Sequence, residues 1–211
     1  MHFLTKKIDF PDVSQADVSG LLAIGGDLSE ERLIKAYHSG IFPWFDKQDP
    51  ILWWSPDPRF VLRPEKLKVS KSLKQLLKQK KFQVTFNKEF EQVIHHCAQI
   101  KREGQDDTWI TSEMIDAYIN LHKIGLAKSV EVWQEEQLVG GLYGVDLPDK
   151  KVFCGESMFT KVSNASKVGF VTYVNHLIKE AYELIDCQVY TNHLASFGAE
   201  EIPREVFMSY L

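Results

Sequence analysis

Apolar and polar positions along the chain follow a helical period first and an alternating one later. Leu33, Ala36 and Tyr37 form a helical stripe behind Ser29, a helix-capping residue type. Glu30 and Glu31 fall in the first turn, where carboxylates suit the helix dipole, and Gly40 stops the helix. Ahead of it, GLLAIGGDLS places Gly25 and Gly26 in a tight turn. Leu73, Leu76 and Leu77 make one face of a second helix and Lys71, Lys74 and Lys78 another. Phe90, Val93, Ile94 and Cys97 mark a helix after Asn87. Thr111 is expected to cap the next, with Met114, Ile115, Tyr118, Ile119 and His122 inward and Gly125 as the stop. The period then changes. SVEVW, LVGGLYGV and KVFCGESMF read as three strands joined by QEEQ and DLPDK, an antiparallel meander. Residues 164–183 predict a long helix with two adjoining apolar rows, Val168, Val171, Val174 and Ile178 beside Phe170, Tyr173 and Leu177. LIDCQVY predicts a further strand, and a short helix follows Pro203. Helices, meander, helix, strand is the order of an α+β layer fold, without internal repeats or low-complexity tracts.

One stretch does not follow either period. GIFPWFDKQDPILWWSPDPRF holds Trp44, Trp53 and Trp54, while Pro43, Pro50, Pro56 and Pro58 forbid a regular helix. It reads as a rigid, extended aromatic platform, which either caps a core or offers faces on which a base or side chain stacks. Residues 1–62 then form a small N-terminal unit and residues 63–211 a second one.

Composition adds bounds. The 211 residues are 44% hydrophobic and 26% charged, ordinary values for a soluble globular chain with an ample core. No run has the apolar length of a membrane span, and MHFLTKKIDFPD lacks an apolar secretory core with a cleavage site. Cys97, Cys154 and Cys187 are odd in number and widely spaced, which predicts reduced thiols and a cytoplasmic location. Between Arg63 and Lys81 eight basic residues stand against one acid, in a chain whose net charge is −4. A basic segment on an acidic body suggests two partners of opposite charge.

Few residues offer chemistry. In the strand LIDCQVY, Asp186 and Gln188 share one side with Leu184 and Tyr190, opposite Ile185, Cys187 and Val189. They are either a structural hydrogen-bonding pair or a carboxylate-oriented amide that positions or deprotonates an amine. Glu156 interrupts an apolar strand beside Gly155, and reads either as an edge residue facing water or as a group that a ligand approaches. The lysines are either a solvated face or a phosphate-backbone footprint. The histidines show no ligand spacing, so no metal is expected; no P-loop or GxGxxG is present, so no nucleotide triphosphate is either.

GLLAIGGDLS, AYHSGIFPWF, PILWWSPDPRF, TWITSEMIDAYINLH, SVEVWQEEQLVGGLYGV, GESMF, NASK, IDCQV and GAEEIPR together resemble the bacterial leucyl/phenylalanyl-tRNA–protein transferases, over nearly the whole chain. The resemblance implies a small N-terminal domain, residues 1–62, followed by a GNAT-like acyltransferase domain, residues 63–211. It implies transfer of Leu or Phe (Met less well) from aminoacyl-tRNA to proteins beginning with Arg or Lys, marking them for N-degron degradation. The tRNA ester is already activated, so no cofactor is implied; TKVSNASKVG, before the long helix, lacks the glycines of a CoA pyrophosphate loop. Trp44 and Trp109 would hold the 3′-terminal adenosine. Met158, Phe159, Tyr173 and Ile185 would receive the Leu or Phe side chain, with Tyr173 standing where Phe is expected. Asp186 and Gln188 would orient and help deprotonate the incoming α-amine, and Glu156 would bind the aminoacyl ester or its ribose. Lys71, Lys74, Lys78 and Lys81 would meet the acceptor stem. A monomer is implied. Two other readings stay open on the residues: a CoA-dependent acetyltransferase of the same fold, and a tRNA-binding protein without catalysis.

Overall fold

The computed structural model describes residues 2–100 and 108–211. Among these, a four-stranded sheet in the order β1-β2-β4-β3 lies in the N-terminal part: β1 (His2–Leu4), β2 (Leu21–Gly25), β3 (Phe42–Pro43) and β4 (Leu52–Trp54). Helix α1 (Glu30–His38) connects β2 to β3 and buries Leu33, Ala36 and Tyr37, the stripe its spacing predicted. It also buries Arg32, which donates to the Thr5 carbonyl at 2.8 Å and ties down the first strand. Gly40, at φ +70°, ends the helix in the left-handed conformation that glycine adopts without cost.

The aromatic platform divides in two. Trp53 is fully buried, and its Nε1 donates to the Gly25 carbonyl at 2.8 Å. Trp44 remains 39% exposed on the β3–β4 hairpin, whose prolines limit it to short strands.

The larger sheet has seven strands in the order β11-β5-β10-β9-β8-β7-β6. These are β5 (Arg59–Leu62), β6 (Gln83–Phe86), β7 (Ala127–Gln134), β8 (Gln137–Leu147), β9 (Val152–Thr160), β10 (Leu184–Gln188) and β11 (Glu200–Ile202). The antiparallel meander is β7–β8–β9, as the alternation predicted. β5, β6 and β11 were not anticipated. β5 lies on the N-terminal side of the expected boundary after residue 62, yet pairs with β10 and β11 in the larger sheet.

α1, α3 (Phe90–Gln99) and α4 (Ser112–Lys123) cover one face of this sheet, and α5 (Ala165–Lys179) covers the other. Thr111 caps α4 by accepting from the Met114 amide. The buried row of α4 is Met114, Ala117, Tyr118 and Leu121; Ile115, Ile119 and His122, expected inward, lie on its flank. In α5 both apolar rows are buried except at Ile178, which is exposed. Glycines bring layers together: a Cβ at Gly144 would stand 2.2 Å from the Cys154 carbonyl oxygen, so β8 and β9 approach only with glycine there. α2 (Lys71–Lys78), α6 (Asn192–Ser196), α7 (Arg204–Met208) and two short 3-10 turns, Val13–Gln15 and Pro64–Lys66, complete the described elements. No described helix is long and apolar enough to cross a membrane.

Candidate active site

β9 and β10 run parallel through three paired residues, ending at Asp186↔Cys154, and then part. Beyond that point β10 turns toward β5, while β9 continues to Thr160 beside β8. A fork opens between them, and a cavity of about 420 Å³ occupies it. This is within the usual range of small-ligand sites. Its walls come from both faces of the sheet. Trp44, Trp109, Tyr143 and Glu156 line the side of α1 and α4, while Leu142, Phe153, Phe170 and Tyr173 line the side of α5.

Both fork strands are bulged where the chemistry lies. On β9 the register passes from Gly144↔Gly155 to Tyr143↔Ser157, leaving Glu156 without an opposite residue. On β10 it passes from Asp186↔Val61 to Gln188↔Phe60, leaving Cys187 unopposed, and Gln188 sits at φ +65°. Bulges re-aim side chains, and these two aim Glu156 and Gln188 at each other. Gln188 Nε2 donates to Glu156 Oε1 at 3.0 Å.

Glu156 is held wholly by neutral donors. The Tyr37 hydroxyl from α1 donates to Oε1 at 2.8 Å, and the Tyr118 hydroxyl from α4 to Oε2 at 3.2 Å. The two phenols also hydrogen-bond each other. Burial disfavours the ionised carboxylate and the nearby Asp186 charge adds to that, while the donors oppose it; the result pushes Glu156 up to about 7. Burial and the neighbouring Glu156 push both phenols well above their ordinary value.

Asp186 has the opposite surroundings. At 1% exposure it forms a two-point ion pair, accepting from Arg59 Nε at 2.8 Å and from Arg59 Nη2 at 2.7 Å. Its Oδ1 also accepts from the Gln188 backbone amide at 2.9 Å, fixing the bulge. Arg59 lies between the rings of Phe42 and Phe207, 4.8 and 4.5 Å from their centroids, and donates to the Gly40 carbonyl at 3.2 Å. Burial, then the Asp186 charge, drives the Cys154 thiol well up, which leaves it inert as a nucleophile.

Of the residues expected at a site, the fork brings together Glu156, Gln188, Trp44, Trp109, Met158, Tyr173 and Ile185 along the cavity. Asp186 and Gln188, expected on one side of β10, are separated by the bulge, and Asp186 is not part of the cavity wall. Phe159 is not on the wall either. Neighbouring residues of a strand face opposite ways, so with Met158 turned to the cavity Phe159 packs on α3, 4.9 Å from the His96 ring. Lys71, Lys74, Lys78 and Lys81 are exposed on and just after α2, apart from the cavity. The basic segment is partly neutralised, because Arg63 and Lys66 pair with Glu200 of β11. Sequence reasoning missed the roles of Tyr37, Tyr118 and Arg59. The first two read as apolar faces of helices, and their shared partner lies far away in the chain.

A meander, a crossover helix, a parallel strand and a ligand-sized fork lined by a carboxyl–amide pair define an α+β layer fold with a candidate small-ligand site at its parted strands. Family models narrow this: residues 61–211 match "Leucyl/phenylalanyl-tRNA protein transferase" and residues 26–57 match its N-terminal domain. The leucyl/phenylalanyl-tRNA–protein transferase of Flavobacterium johnsoniae is 62% identical, covering 100% of this chain and 99% of its own. That of Christiangramia forsetii is 59% identical, with 100% of both chains covered. The chain belongs to this family. Among solved structures, L-PGS from Bacillus licheniformis superposes on 83% of this chain and 57% of its own, at 12% identity and a TM-score of 0.43.

Proposed function

We propose that this chain is a cytoplasmic, monomeric aminoacyltransferase that moves Leu or Phe (Met less well) from aminoacyl-tRNA to the α-amine of proteins beginning with Arg or Lys, marking them for degradation. The cavity carries the reading. It joins an aromatic rim to an apolar chamber across a fork whose centre holds Glu156 and Gln188. Trp44 and Trp109 stack the 3′-adenosine at the rim. Met158, Tyr173 and Ile185 receive the aminoacyl side chain in the chamber, where burying it supplies binding energy. The ester carbonyl then lies at the fork.

Gln188 orients the incoming amine. Asp186, with both oxygens held by Arg59, acts through Gln188 by fixing the bulge. Bringing amine and ester together contributes most of the rate, because the donor is already activated. The basic face of α2 binds acceptor-stem phosphates, and the acidic remainder suits a cationic N-terminus.

Labelled leucine presented as Leu-tRNA tests this, with acceptor proteins that differ only in beginning with Arg or Ala. Labelling of the Arg form alone is expected; bound tRNA with no product would leave only a binding role. Replacing Lys71, Lys74 and Lys78 by Glu is expected to raise KM for charged tRNA. The slope of affinity against salt should also fall by about 2 to 3. An unchanged slope moves the tRNA footprint elsewhere.

A further inference from the structure

Glu156, Tyr37 and Tyr118 form a closed ring of three oxygen-to-oxygen hydrogen bonds: Tyr37 to Glu156, Tyr118 to Glu156, and Tyr37 to Tyr118. Each such bond places one proton between two oxygens. The two phenols supply two protons. A carboxylate supplies none, so one side of the ring would set lone pair against lone pair inside the core. With both phenols donating to a carboxylate, their own contact lacks a proton; a carboxylic acid supplies it, Oε2–H donating to the Tyr118 hydroxyl, which turns to donate to Tyr37 while Tyr37 still donates to Oε1. Gln188 Nε2 adds a further donor to Oε1.

Resting on the aminoacyl-transfer reading above, we propose that Glu156 enters the reaction as a neutral carboxylic acid and is its proton donor and acceptor. The amine nitrogen bonds to the ester carbonyl carbon, and the carbonyl electron pair moves onto oxygen. As that pair returns, the bond to the ribose 3′-oxygen breaks and its electrons stay on that oxygen, which takes the Glu156 proton. The nitrogen, carrying one proton too many for an amide, returns it to the Glu156 carboxylate. One C–N bond forms and one C–O bond breaks. A single proton has passed from nitrogen to oxygen, and Glu156 is restored.

The surroundings suit this role. The groups facing Glu156 are Tyr37 of α1, Tyr118 of α4, Tyr143 of β8, Cys154 on its own strand, and Gln188 and Asp186 of β10. Among the described residues, the nearby cation Arg59 is paired with Asp186. Burial keeps the group near 7, where proton loss and gain are both accessible near neutral pH. Glu156 is also the one member of the ring on the cavity wall.

Two measurements on the wild-type enzyme and Glu156→Gln decide the matter. The infrared difference spectrum between about pH 5.5 and 8.5 should contain a carboxylic-acid band that the Gln variant lacks. With Leu-tRNA and an Arg-initiated acceptor, the variant should lose about 10²-fold or more in kcat while KM for Leu-tRNA moves little. Wild-type kcat should fall as pH rises through about 7, since the acid form is required, and the variant should lose that limb. A wild type that transfers leucine but shows no acid band, or a Gln variant with normal kcat, overturns the proton role alone. A wild type that transfers nothing overturns the aminoacyl-transfer reading and the proton role with it.

Discussion

Asp186 and Glu156 stand on the two strands of one fork, and their surroundings differ in kind. Asp186 is gripped at both oxygens by a guanidinium that is itself held between two aromatic rings. Glu156 meets two phenols and an amide, with no cation of its own among the described residues. A buried carboxylate saturated by a charge is a structural element, because removing either partner strands the other in a low-dielectric interior. A buried carboxyl surrounded by neutral donors can exchange a proton at modest cost, and this one opens onto the cavity. The more deeply buried acid serves the shape of the site, and the less buried one its chemistry.

The contrast can be broken most severely at Asp186. Asp186→Ala leaves Arg59 charged and unpaired, and is expected to cost about 3–5 kcal/mol of stability in urea unfolding. A loss below about 1 kcal/mol would mean the ion pair is not the structural element described.

Next in size is the pH dependence that Glu156 imposes. Burial pushes its side chain up to about 7 in the folded chain, against an ordinary value of 4.5. Between those values the folded state holds a proton that the unfolded state has lost, so stability falls as pH rises across that window. The span is worth about 3 kcal/mol. The stabilities of the wild type and Glu156→Gln, measured from about pH 4.5 to 8, should therefore diverge by that amount across the window. Parallel curves would place the proton elsewhere.

The smallest effect sharpens the comparison from the donor side. Tyr118→Phe removes one hydrogen bond to Glu156 and is expected to cost about 1 kcal/mol. The closed ring favours the acid form, so without the Tyr118 hydroxyl the Glu156 midpoint should move down; an upward move would show that Tyr118 serves the ionised carboxylate as a donor instead.

Much of the scaffold was legible in the chain. Helical spacing identified α1, α3 and α5, and strict alternation identified the meander, because these elements bury one face against a neighbouring layer. Four-residue β5 and three-residue β11 were not legible, being too short to show a period. β6 follows a lysine-rich turn and is only half buried. At the site, Glu156 and Gln188 stood out as polar residues in apolar strands. Their mutual contact did not, because it depends on one unopposed residue in each strand, which pairing creates and local pattern does not encode. Phe159 shows the same limit: pairing register places it on α3, away from the chamber it was expected to line.

By itself the sequence determined the inventory: which segments are helix or strand, where the basic face lies, which aromatic and acidic residues were available, and the family they resemble. Such properties follow from local periodicity, charge and motif, each readable within a few turns or strand pairs. The tertiary structure decided how those residues are used. Only packing could bring Tyr37, Tyr118 and Gln188 around Glu156, or close Arg59 on Asp186 across more than half the chain. Burial and hydrogen-bond partners set the proton affinity of a carboxyl group, and both are products of the folded chain.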